Sequence, residues 1–95
     1  MPKFNKDEIE HYLKLLNPPW NVEDNTKIVK EFNFSNFIET MKFVNKVAVI
    51  AEEEEHHPVM HVYYSKVIVE LWTHAILGLS ENDFILAAKI DEIQL

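Results

Sequence analysis

The chain has 95 residues, 47% of them apolar, with one glycine, no cysteine, sixteen acidic residues against nine lysines and no arginine, for a formal net charge of −7. A chain this long buries roughly 64% of its unfolded surface, enough for one core and one domain over residues 1–95. The missing cysteine excludes a disulfide framework, a thiolate nucleophile and cysteine-bound zinc, and the negative charge without guanidinium forks opposes nucleic-acid binding.

Ile9, Tyr12, Leu13 and Leu16 form one helical stripe. Asn5 stands at its N-cap with Glu8 three residues on, and Phe4 and Ile9 occupy the flanking staple positions, so a helix is predicted over about residues 6 to 16. Asn17, Pro18 and Pro19 stop it.

From Trp20 to Phe34 the period drops to two: Ile28, Lys30, Phe32 and Phe34 share one side and Lys27, Val29 and Glu31 the other, with Asp24 and Asn25 as turn residues of a β-hairpin. Ser35 then opens a long helix in which Phe37, Met41, Val44, Ala48 and Ala51, widened by Phe43, Val47 and Ile50, predict one broad buried face. Val59–Tyr64 and Val67–Thr73 read as a second strand pair, the latter with Val67, Val69, Leu71 and Thr73 on one face and Ile68, Glu70, Trp72 and His74 on the other. Ser80 and Asp83 form a capping box ahead of a last helix through Phe84, Ala87, Ala88 and Ile93. The order α-β-β-α-β-β-α predicts an α+β domain: a four-stranded antiparallel sheet with its helices packed on one face.

Glu52, Glu53, Glu54 and Glu55 violate a local rule, because carboxylates at a helix C-terminus oppose the macrodipole at a cost of about 0.3–1 kcal/mol each. A solvated charge run is the ordinary explanation of such a cluster, yet a local conflict is also a frequent trace of function. His56, His57 and Pro58 follow directly. The proline forces His57 into an extended conformation, so the helix ends here and the two imidazoles diverge. Glu52, four residues before His56, is in reach of it if the helix persists that far. A carboxylate beside an imidazole orients it and favours its charged form, which poises a histidine for proton transfer near neutral pH. His74, at a strand end away from the core stripe, supplies a third imidazole.

Three imidazoles admit two chemistries. They suit a zinc, nickel or copper ion with a glutamate as fourth ligand, or they surround a substrate as acids and bases. His57 and His61 have helical spacing, but Pro58 and the β-rich stretch after it remove the helix that such a ligand pair needs. Spacing alone leaves both chemistries open.

Glu52, His56-His57-Pro58, Tyr64, His74 and Asp83 stand at every position and gap of the motif of the pterin-4a-carbinolamine dehydratase family, which the chain resembles over nearly its whole length. Trp20, Phe32-Asn33-Phe34-Ser35-Asn36-Phe37, Thr73-His74, Gly78-Leu79-Ser80, Leu86-Ala87 and Ile90-Asp91 extend the likeness. The family's α+β fold agrees with the periodicity. The resemblance implies dehydration of 4a-hydroxytetrahydropterin to quinonoid dihydropterin, without a metal or redox cofactor, in the recycling of a hydroxylase's pterin. It implies His56, His57 and His74 as the catalytic set, Glu52 and Glu55 as groups that orient or charge them, and Pro58, Trp72, Thr73, Ala75 and Asp83 as the rest of the substrate site. A homodimer or homotetramer is implied as well.

Met60, Pro19, Trp72 and Ala75 depart from the family's usual residues, Trp72 standing where a small one is common. Several residues also have ordinary explanations: Asp83 as a helix cap, Tyr64 and Trp20 as core aromatics, His11 and His61 as surface or satisfied core histidines. Two other functions follow from the same residues. One is a coactivator-type interaction protein acting through an apolar helix surface; the other is a histidine-rich metal binder. No apolar run reaches the ~20 residues of a membrane span and Met1–Asn5 does not read as a signal peptide, so the expected location is the cytoplasm and no membrane partner is expected.

Overall fold

Helix α1 spans Lys6–Leu13 and begins as its caps predict. The Asn5 side chain accepts from the Glu8 N–H at 2.9 Å, and the Glu8 carboxylate accepts from the Asn5 N–H at 3.0 Å. The helix ends earlier than residue 16, because the Leu15 and Leu16 N–H groups bond only three residues back, to the Tyr12 and Leu13 carbonyls. These observations come from a computed structural model that describes residues 2–95; Met1, the first residue of the segment read for a leader, lies outside them.

A cis Pro18–Pro19 bond leads into the hairpin of β1 (Asn21–Glu23) and β2 (Lys27–Asn33). Asp24 and Asn25 turn the chain with φ of 51° and 55°, a region that short polar side chains tolerate best among non-glycine residues. Strands β3 (Val59–Val62) and β4 (Lys66–Leu71) complete a sheet in the order β1-β2-β4-β3, antiparallel throughout. The alternation holds: Ile28, Val67, Val69 and Leu71 are fully buried on one face, where α2 (Phe37–Glu54) and α3 (Glu81–Asp91) cover them with Phe43, Val47, Phe84 and Leu86. The opposite face carries no helix and presents Lys27, Val29, Ile68, Glu70 and Trp72, all half-buried.

Helix α2 differs from expectation in two ways. Its N-cap is Asn36, whose side chain accepts from the Glu39 N–H at 2.9 Å, and not Ser35. Its buried line is Thr40, Phe43, Val47 and Ala51, whereas Phe37 is 53% exposed and Ala48 is exposed as well. Thr40 enters the core because its hydroxyl lies 2.9 and 3.0 Å from the Asn36 and Tyr64 carbonyls, which satisfies it and ties the helix start to the β3–β4 turn. Tyr64 itself is 78% exposed, so it is not a core aromatic. Trp20 is one. Helix α3 stops at Asp91, and Ile93 packs on the core from beyond its end.

The inward alternation of β2 also buries a cation. Lys30 is 8% exposed and its Nζ lies 2.7 Å from Asp91 Oδ1, over the Trp20 and Phe32 rings. Asp91 Oδ2 accepts from Trp20 Nε1 at 2.9 Å and from the Asn17 N–H at 3.1 Å, and Lys30 donates to the Asn17 carbonyl. One carboxylate thereby fastens the diproline segment, β2 and the end of α3 together.

Candidate active site

The divergence of His56 and His57 has a backbone cause. Helix α2 closes with Glu55 in the left-handed region, φ 51°, while the His56 N–H bonds the Ala51 carbonyl and the Glu55 N–H bonds that of Glu52, the two bonds of a Schellman ending. A non-glycine residue there costs about 1–2 kcal/mol. The reversal sends the two imidazoles in opposite directions. His56 turns inward, 14% exposed, with Nε2 2.6 Å from Asp83 Oδ1. His57 turns outward, 65% exposed, with Nε2 2.8 Å from Glu52 Oε2. Glu52 therefore meets His57 and not His56, because the helix does not persist far enough for the spacing of four to operate. Glu54 pairs with Lys89 at 3.1 Å, so two of the four glutamates acquire partners that offset their place at the helix end.

Asp83 is the hub. It is fully buried at the start of α3, where its Oδ2 accepts from the Ser80 N–H at 3.0 Å, the capping role read from the sequence, and from the Thr73 hydroxyl at 2.9 Å. With its proton donated to Asp83, the Thr73 hydroxyl accepts from the Ser80 hydroxyl, 2.8 Å away. The same carboxylate thus fixes His56 and the residue next to His74, joining the end of α2, the end of β4 and the start of α3. Every polar side-chain atom buried among the described residues has a partner. Asp83 reaches His56 directly, and Ser80 is a further member of this hydrogen-bonded group that the spacing did not reveal, since nothing in the sequence places its hydroxyl against Thr73.

The segment after β4 is a short 3₁₀ helix, His74–Ile76, which the sequence pattern does not show. A bridge between Thr73 and Gly78 closes it, with Leu77 at φ 50°. His74 and Ala75 are exposed, Pro58 is half-buried, and Glu55 is exposed beside the histidines in sequence. The Trp72 ring lies against His74, centroids 4.5 Å apart at 37°. A cavity of about 400 Å³ is lined by Asp24, Thr26, Lys27, Trp72 and Leu77, and by none of the three histidines. Among the described residues, no group of three histidine, aspartate or glutamate side chains is placed to hold a metal ion.

His61 is a half-exposed surface histidine whose Nε2 lies 2.6 Å from Glu70 Oε2. The Glu70 carboxyl is held below its ordinary 4.5, chiefly by the hydrogen bond from Lys27 against the push of burial, with His61 adding to the effect; Lys27 is raised in return, chiefly by that same bond. A carboxylate with a depressed folded value stabilises the fold above its unfolded value and loses that contribution as pH falls through the folded one. The stability gap between wild type and Glu70→Gln should accordingly shrink as pH falls from about 5 through the depressed folded value in urea unfolding. A gap that stays constant through that range would contradict this assignment.

The family model described as pterin 4 alpha carbinolamine dehydratase matches residues 2–93. A Nitrosomonas eutropha protein named "Putative pterin-4-alpha-carbinolamine dehydratase" is 50% identical over 91 residues, covering 96% of this chain and 80% of its own length. A Rickettsia bellii protein of the same name is 44% identical over 94 residues, 99% of this chain and 83% of that one. Among solved structures, the transcriptional coactivator/pterin dehydratase from Brucella melitensis superposes with a TM-score of 0.88 at 30% identity, over 94% of this chain and 95% of that one. A pterin dehydratase-like protein identified as a RuBisCO assembly factor in the alpha-carboxysome shares the fold, with a TM-score of 0.65 at 23% identity over 76% and 84% of the two chains. From a matching family model, close relatives and a shared fold, it follows that the chain belongs to the pterin-4-alpha-carbinolamine dehydratase family.

Proposed function

We propose that the protein dehydrates 4a-hydroxytetrahydropterin to quinonoid dihydropterin by histidine acid–base catalysis, in the cytoplasm and in the service of pterin recycling. The observation that supports this reading is the Asp83 hub, which hydrogen-bonds both His56 and Thr73, the residue before His74, while Glu52 pairs with His57. In the reaction a base takes the N5 proton, the C4a–O bond breaks as an acid protonates the departing hydroxyl, and C4a=N5 forms. No electron is gained or lost, so the step itself calls for no redox partner. A carboxylate that accepts from Nε2–H holds His56 and His57 in one tautomer with Nδ1 free, which readies each to receive or return a proton. Each positioned transfer is typically worth about 10²- to 10⁴-fold in rate.

Trp72, Thr73, Ala75, Pro58 and Glu55 complete the pterin site in this reading. His57→Ala is the direct check: the rate of water loss from freshly generated substrate should fall steeply relative to wild type, and equal rates would sink the proposal.

A second reading, an interaction protein, is favoured by Phe37, Ile38 and Val49, which are 53%, 71% and 58% exposed on α2. Such a face also suits self-association into a dimer or tetramer. This role would survive replacement of all three histidines, which separates it from the enzyme.

A further inference from the structure

His56 and His57 are each oriented by a carboxylate. His74 makes no side-chain hydrogen bond or ion pair among the described residues, and the Trp72 ring lies against it with centroids 4.5 Å apart. Trp72 in turn is held from β2. Lys27 stands one position beyond the last β2–β4 pair, Ile28 with Leu71, which sets it across from Trp72 with Nζ 5.8 Å from the ring centroid. That ammonium is clamped by Glu70 at 2.8 Å and Glu23 at 3.5 Å, and the second oxygen of Glu70 takes His61. All four strands contribute to this one arrangement on the uncovered face. Lys27 and Trp72 also line the same cavity of about 400 Å³, so part of the indole borders open space and not packed side chains.

Resting on the dehydratase reading, we propose that Lys27 is a positioning residue for His74: its ammonium, fixed by Glu70 and Glu23, pins the Trp72 indole, and the indole sets the plane of the imidazole. The attraction is that of a cation for the electron-rich indole face, which also draws the Lys27 stem over the ring. The cluster explains why a lysine flanked by two carboxylates sits next to an aromatic that replaces a small residue beside a catalytic histidine. In the sequence Trp72 and His74 were already on one strand face, but nothing linked Lys27 to them until the β2–β4 register was known.

The test compares Lys27→Met, which keeps the stem and removes the charge, with Lys27→Arg, which keeps a cation able to stack on the indole. In NMR spectra of histidine-labelled protein, the ring protons of His74 should move in Lys27→Met toward their positions in Trp72→Ala, and remain near wild type in Lys27→Arg. The His56 and His57 signals should stay in place throughout. Turnover should fall about two- to five-fold in Lys27→Met, the size of an exposed cation–π contact, and be restored by arginine. Glu70→Gln, which loosens the clamp without touching Lys27, should displace His74 in the same direction by a smaller amount. His74 signals identical in wild type and both of these variants would overturn the proposal, as would displacement of all three histidines together. A wild type without dehydration activity whose His74 still responds to Lys27→Met would leave the positioning intact and defeat the dehydratase reading alone.

Discussion

Replacing Asp83 with asparagine is expected to leave a folded protein whose turnover is about 10²- to 10⁴-fold lower, the usual worth of one positioned proton-transfer group. An asparagine of the same shape keeps an acceptor for the Ser80 N–H and the Thr73 hydroxyl, both of which use Oδ2. Its amide nitrogen then faces His56 Nε2 where Oδ1 now lies at 2.6 Å. Two donors cannot satisfy each other, so His56 must move its proton to Nδ1 and present the wrong tautomer to the substrate. Heteronuclear NMR of the imidazole nitrogens would show the exchange of protonated positions alongside the loss of rate. Undiminished turnover would mean that Asp83 merely caps a helix.

The largest effect on stability is expected at the opposite end of α3. Asp91→Ala strands the Lys30 ammonium, 10% exposed at its side chain, and leaves Trp20 Nε1 and the Asn17 N–H without their acceptor. Breaking a buried pair from one side typically costs about 3–5 kcal/mol, which for a domain of this size lowers the melting temperature by about 12 °C or more. Replacing both partners, as in Lys30→Met with Asp91→Leu, should recover the part of that loss due to the unpaired charge, while Trp20 Nε1 and the Asn17 N–H still lack their acceptor. Thermal and urea unfolding of the single and double variants measure both numbers. A single variant within about 1 kcal/mol of wild type would show that water reaches Lys30 freely.

Period-two patterning made the sheet readable: Val67, Val69 and Leu71 alternate with polar or half-buried neighbours as one-sided burial requires. The same alternation put Lys30 on the inward face with Ile28, but its partner lies 61 residues away and no local rule connects them. The phase of α2 was harder, because Phe37, Ile38 and Val49 are apolar and point away from the core while Thr40 is polar and points into it. Periodicity counts side-chain polarity, and here a hydroxyl satisfied by two carbonyls reverses the sign. The spaced motif names His56, His57, His74 and Asp83 together, and the structure joins Asp83 to His56 and to Thr73, the residue before His74. The wiring of the candidate site was not legible. The exchange of partners, Glu52 to His57 and Asp83 to His56, follows from one left-handed residue, Glu55, whose conformation has no glycine or asparagine to announce it.

The exposed apolar residues of α2 keep an interaction role compatible with the proposed activity, and related structures include a transcriptional coactivator/pterin dehydratase and a RuBisCO assembly factor on the same fold. The fold therefore does not decide between these functions, and replacement of the three histidines is the experiment that separates them. No helix among the described residues is long and apolar enough to cross a membrane.

The most direct measurement is the initial rate of water loss from freshly generated 4a-hydroxytetrahydropterin, followed above its spontaneous rate, for wild type and for a variant with His56, His57 and His74 all replaced by alanine. Acceleration by wild type that disappears in the triple variant, with the fold preserved by circular dichroism, is the predicted result. A wild type that does not exceed the spontaneous rate, or a folded triple variant that matches wild type, would contradict the account.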